Sequence, residues 1–335
     1  MEAQIALAVN SLGLKCGGGA NTERLVKYQA VATQMDRVLA GDTLDPEHPE
    51  SAVVERVSAR EEPTNAGIPT VGVDVRIRLP GSDPEHPVRF SFHGATPLGT
   101  SAGSGEAVHL IDRGFEQYEY SEVAQHHGAL LRETEPGVLV FDEKLTTSEI
   151  DAASDDELAE LFRRSRRYNG KGCLHAVDHV HAFLAPALDE ADLADWDLFR
   201  IDHMLLQLEL STALRRGKID DSSGEETRIA VMQRKQNLGM NAILATSLAL
   251  ARGVAHIRGQ ELYELLREEL LAIIERLAAG EQVAIEGSRF DDYLAALREC
   301  SRKLASRNEP LYRALRACTG VYEAAGSRPA APAPR

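Results

Sequence analysis

Basic residues are in short supply: 37 Lys and Arg stand against 52 Asp and Glu, a formal charge of −15. A nucleic-acid-binding surface has to neutralise phosphates, so this balance argues against a DNA or RNA partner. Long apolar runs are missing as well. No stretch reaches the roughly 18 consecutive apolar residues of a membrane-spanning helix, and the opening MEAQIALAVN has no basic region ahead of an apolar segment. No membrane partner is expected, and the cytoplasm is the expected compartment. The cysteines, Cys16, Cys173, Cys300 and Cys318, show no CxxC spacing and fall in segments that read as helix or strand. They are expected to be reduced packing residues rather than reactive thiols.

What is present is enough for a core: 335 residues at 43% hydrophobic can build two or three compact units. Residues 5–10 read as the end of an apolar helix, 11–16 as a short buried strand, and 17–24 as a turn into an amphipathic helix reaching about Leu39. That makes 1–40 one strand-to-helix unit, followed by a polar, proline-containing linker at 41–51. Three strand-like runs follow at 52–60, 69–79 and 87–93, and their alternation, with a turn at GSDPEHP, predicts an antiparallel meander.

From Glu106 onward the pattern turns helical, interrupted by a hairpin across 130–145 and by an acidic helix start at 151–162. Segments 171–188, 196–210, 238–256 and 259–279 place apolar side chains at helical spacing, while 212–230 reads as an exposed loop. Two more helices are expected at 289–306 and 310–324, with a disordered tail at 325–335.

Four blocks stand in one order between about 55 and 265. They are Ser58 to Arg60 with the run 67–75 (GIPTVGVDV), GTSAGSGEA at 99–107, RYNGKG at 167–172 leading into HAVDHVHAFLAPAL, and NLGMNAILATSLALA at 237–251 preceded by FRIDHMLLQLE. Together they resemble the amino-terminal capping domain of the enolase (phosphopyruvate hydratase) family. LGLKCG at 12–17 and NTERLVKYQ at 21–29 resemble the last strand and helix of that family's barrel, which here come first.

The resemblance implies an α+β fold: a three-stranded antiparallel meander with a helical subdomain over 52–265, carrying insertions at 113–166 and 212–232. One detached βα unit of a TIM-like barrel precedes it, and a helical extension follows at 266–324. Carried over residue by residue, Ser101 matches the family's mobile loop near the metal, and Lys15 matches a position near the substrate's acidic groups. The chain departs from the family around Asn65, Ala66 and Ile68, where an arginine and an asparagine are replaced. It also lacks segments resembling the barrel strands that carry the magnesium carboxylates, the lysine base and the glutamate acid.

The expectation that follows is a subunit of a split phosphopyruvate hydratase, inactive alone. A lone barrel strand needs neighbours on both edges, so a barrel-containing partner chain, or a second copy in a homo-oligomer, is expected to complete it. With that partner would come magnesium and an acidic phosphorylated small molecule as substrate. The other readings are a non-catalytic, enolase-derived binding or regulatory module, and a related reaction on a phosphonate or carboxy-phosphoenolpyruvate analogue.

Further motifs are weaker. Gly99, Ser101 and Gly103 spell GxSxG, but a nucleophile elbow belongs in a mostly parallel sheet, and the strands before it read as antiparallel. His175 and His179 lie four apart with Asp178 and His181 nearby, and read as a solvated helix face for want of a third ligand. His126 and His127 cannot face one site on a helix. The GKG at 170–172 lacks the upstream glycine and following Ser or Thr of a phosphate loop, and reads as a turn leading into a helix.

Overall fold

The structure is a computed structural model that describes residues 2–8, 26–34, 51–64, 66–80, 87–97 and 106–278. The chain divides into two compact units, Met1–Pro46 with Gly259–Arg335, and Glu47–Arg258. Lys15, Ser101, the strand expected at 11–16, the helices expected at 289–306 and 310–324, and the tail lie outside the described residues.

In the first unit, α1 (Glu2–Ala8) packs on α11 (Leu262–Ala278), and residues 26–34 form α2. The carbonyls that end α1 have no helical partner of their own. Arg267 answers them, donating to the Ala8 carbonyl at 2.7 Å and to that of Leu7, a cation set at the negative end of a helix. Ala3, Ala8, Leu262 and Leu265 are buried.

The second unit begins with β1 (Val53–Pro63), β2 (Pro69–Leu79) and β3 (Val88–Ala95), an antiparallel meander in the order β1-β2-β3. The expected strands are present: β2 has its expected bounds, and β1 and β3 run two or three residues further than expected. Alternation divides β2 cleanly: Val71, Val73, Val75 and Ile77 are fully buried, while Asp74 and Arg76 point the other way. The apolar face receives α10 (Met240–Ile257), a helix whose sides are buried almost all round.

Gly94 on β3 permits that approach, because a methyl group there would overlap the Ala245 carbonyl and stand 2.6 Å from the Ala249 nitrogen. Helix α10 is long and apolar enough to cross a membrane, yet 72% of the relevant window is buried inside the protein, as befits a core helix. Against it pack α6 (Leu174–His179), the π turn that continues it (Val180–Leu184) and α8 (Leu198–Arg215), while α7 (Ala185–Leu188) lies on β1 and α9 (Glu225–Arg234) on α8.

A second sheet, in the order β4-β6-β5, comprises β4 (Gly114–Glu116), β5 (Leu131–Glu135) and β6 (Val138–Phe141). It carries α3 (Ser121–His127), α4 (Thr147–Ala153) and α5 (Asp156–Arg166) on one face, with a core of its own built from Phe115, Val123, Leu139, Phe141, Ile150 and Phe162 among others. Phe141 meets Phe162 edge-on at 5.2 Å between ring centroids. Residues 113–166 thus make a self-contained layer. Every strand pairing among the described residues is antiparallel.

Several expectations are corrected. The stretch 106–120 is not helical: it runs irregularly to β4, and the first helix starts only at Ser121. Tertiary hydrogen bonds hold it open, Val108 N–H to the Arg234 carbonyl at 2.7 Å and Leu110 to both ends of the Asn241 amide. The acidic helix start at 151–162 is two helices, broken where Ser154 takes a left-handed conformation (φ 53°) and Asp155 caps α5 by accepting the Leu158 N–H at 3.0 Å. The loop expected at 212–230 is confined to 216–224, since α8 runs to Arg215 and α9 starts at Glu225. Thr212, Ala213, Ile219 and Met232 are buried, and the latter three join Leu210 in a small core that outweighs the local polarity.

Candidate functional site

The outward face of the second sheet looks onto a hollow that opens to solvent at β5. By alternation Gly114, Glu116, Val138 and Val140 lie opposite the face that packs on α3–α5, and with Arg132 and Thr134 of β5 they wall a cavity of about 450 Å³. The opposing wall is the segment 108–111 and the first turns of α6, which brings His109, His175 and His179 to the same hollow.

Two carboxylates, Asp112 buried and Glu61 partly buried, position that opposing wall. Asp112, wholly buried, accepts the N–H groups of Leu174 at 3.0 Å and His175 at 2.9 Å and so caps α6, while Glu61 accepts the Cys173 N–H at 2.7 Å and pairs with Arg167. Burial raises the Asp112 carboxyl above the usual range, against the two backbone N–H bonds that favour its charge. The turn before the cap is tight: Tyr168, Asn169 and Gly170 all have positive φ, and a side chain at Gly172 would overlap the Asp112 carboxylate. Cys173 is buried with a free thiol, pushed up by that burial. The GKG segment is thus a turn leading into α6.

Glu209 does similar work one layer away. This fully buried carboxylate on α8 accepts the Asn237 and Leu238 backbone N–H groups and the Asn237 amide, each at 2.8 Å. Leu238 is fixed in turn, and its carbonyl receives His179 Nδ1 at 3.0 Å.

The charges beside the cavity are matched in pairs. Lys218 Nζ lies 2.6 Å from Glu116, with Arg216 3.4 Å away, and Arg216 also binds Glu119 and stands 3.1 Å from His179 Nε2, which is 3.3 Å from Glu119. Burial pushes the Glu119 carboxyl up, but the hydrogen bonds and charges of His179 and Arg216 prevail and hold it at about 2. His179 is therefore engaged at both ring nitrogens.

The other two imidazoles are not. Nε2 of His175, a side chain only 4% exposed, and both ring nitrogens of His109 have no hydrogen-bond partner among the described residues. Burial lowers the His175 ring to about 4, helped by the Arg164 charge, and lowers His109 too, so both rings are neutral at physiological pH.

These findings overturn the reading of His175 and His179 as a solvated helix face, since both are buried. Their sequence neighbours go elsewhere: Asp178 pairs with Arg164, and His181 accepts the Ala59 N–H at 3.0 Å. His127 binds Asp155 at 2.9 Å. His109, Glu116, Glu119 and Arg216 were not singled out by sequence reasoning. The first three sat in a stretch read as helix and the last in one read as loop, and no local spacing links them.

Among the described residues no group of three or more His, Cys, Asp or Glu side chains is arranged to hold a metal ion. A second hollow, of about 350 Å³, lies on the outer face of the first sheet and is lined by Arg56, Ser58, Asp74, Arg76 and Ser91. No model of a known protein family matches the chain.

Proposed function

We propose that this chain is the capping subunit of a two-chain, enolase-like lyase. It would close over a site whose acid, base and metal ligands belong to a separate barrel chain, which converts 2-phosphoglycerate to phosphoenolpyruvate. The observation that carries the reading is the order of elements over 53–257: an antiparallel meander, then α6 and α10 packed upon it with α8 against α10, at the same blocks that resemble the enolase cap.

Removal of a proton alpha to a carboxylate needs a base, and stabilising the resulting dianion needs oxygen-rich metal sites. The described residues supply no three-ligand group that would suit magnesium, so no step is assigned to this chain, and the ion would enter with the partner. In this reading Lys15 would meet the substrate's acidic groups and Ser101 would lie in the closing loop near the metal, both by resemblance.

A second reading, a non-catalytic binding module, is favoured by the cavity under β4–β6, since it is built on the layer 113–166 that the resemblance marks as added. Co-expression with the products of adjacent genes separates the two. The first reading expects a stable complex with a chain of parallel barrel strands, and a rise in its thermal midpoint when 2-phosphoglycerate and magnesium are present together. Absence of any such complex, or a complex whose midpoint ignores both additions, would leave the binding-module reading in its place.

A further inference from the structure

We infer that the hollow between β4–β6 and the start of α6 is a binding site for a small, uncharged, largely apolar molecule that carries a hydroxyl or amide group. Every residue in its wall belongs to the unit Glu47–Arg258.

Size comes first. A volume of about 450 Å³ falls within the few hundred to about a thousand Å³ typical of small-molecule sites. Composition comes next: Val108, Leu110 and Ile111 line one side and Val138 and Val140 the other, so most of what a ligand would touch is apolar.

Charge narrows the class. Glu116 is matched by Lys218 and Arg216, and Glu119 by Arg216 and His179, so the wall has no spare inner charge to offer. A ligand with a net charge would lose its hydration there without gaining a counter-ion. At the mouth, exposed Arg132 is accompanied by exposed Glu135, so neither sign is favoured at entry.

The unpaired imidazoles supply the polar requirement. A neutral ring presents one N–H donor and one nitrogen acceptor, and His109 and His175 together leave three ring nitrogens without a partner among the described residues. Buried polar atoms of this kind are costly unless something bonds to them. A hydroxyl or primary amide both donates and accepts, and so can answer a ring whichever tautomer it adopts. A pure hydrocarbon cannot. The depressed basicity of both rings agrees with this, since neutral rings keep an acceptor.

The test uses the full chain and watches the imidazole signals of His109 and His175 by NMR during titration with phenol, benzamide, toluene, benzoate and benzylammonium. Phenol and benzamide are expected to shift both rings saturably, with the other three weaker by about tenfold or more, the factor that one lost polar contact commands. Val138→Phe, which narrows the hollow from the half-buried end of β6, is expected to weaken phenol by a similar factor. Thr134→Trp does the same from the exposed mouth and covers the case in which the first variant folds poorly. The inference is overturned if no probe shifts these rings saturably, which would leave the hollow to water. It fails equally if toluene or a charged probe binds as well as phenol, or if phenol binding survives in a folded Thr134→Trp protein.

Discussion

The two three-stranded sheets share an antiparallel build and differ in what covers their second face. The first sets Val71, Val73, Val75 and Ile77 against α10 and finishes its other face with polar pairs near solvent: Arg60 with Asp74, Arg89 with Glu55 at 2.8 Å, and His93 hydrogen-bonded to Asp74 at 2.9 Å. The second sets Phe115, Leu139 and Phe141 against α3–α5, but turns Val138 and Val140 toward an open volume bounded by unpaired imidazoles. A polar outer face is complete as it stands. An apolar wall beside orphaned nitrogens is complete only with something bound, and that puts the inferred ligand site between the 113–166 layer and the histidines of 108–111 and α6 rather than on the meander.

Substitutions can set the two layers against each other. Gly94→Val in the first should be the most damaging, costing about 4 kcal/mol or preventing folding, because the side chain meets helix backbone that cannot yield; chemical denaturation measures it. Leu139→Ala in the second should cost about 2–3 kcal/mol. Its signature is regional, with hydrogen exchange quickening across 131–166 while the β2 amides stay protected. Equal loss in both layers would mean that they unfold as one.

Acid should act first through the cavity. His175 binds its proton at the usual 6.5 when unfolded but only at about 4 when folded, so below 6.5 the unfolded chain holds more protons and stability falls as pH drops toward 4. The slope is about 1 kcal/mol per pH unit for this ring, and His175→Phe should flatten it. Glu119 works lower down: its contribution is present above the ordinary 4.5 and is lost as pH falls to about 2. The smallest effect belongs to the meander's outer face, where Arg60→Ala should change stability by under about 1 kcal/mol, since its partners remain hydrated.

The meander was legible because one buried face forces period-two alternation, and TVGVDVRIRL displays it without interruption. Helix α10 was legible from apolar side chains recurring at helical spacing. The hairpin at β5–β6 was read, but its third strand was not. Gly114–Glu116 is only three residues long and takes its place from tertiary bonds, Phe115 opposite Leu139, that leave no local pattern. The cavity was illegible for the same reason. Its histidines are 66 positions apart or four apart on a helix, and tertiary bonds such as the Asp112 cap, Asp112 N–H to the Gly172 carbonyl and the Asn241 clamp on Leu110 bring the two segments together. Arg216 looked like part of an exposed loop, and its burial depends on Glu119 and on the Asn237 carbonyl at 2.6 Å.

The proposed role turns on whether the chemistry resides in this chain. Pure protein given magnesium and 2-phosphoglycerate, followed for phosphoenolpyruvate, tests that directly. No turnover is expected from the chain alone and turnover is expected once a barrel chain has joined it, whereas steady product from the chain by itself would contradict a cap that borrows its acid, base and metal.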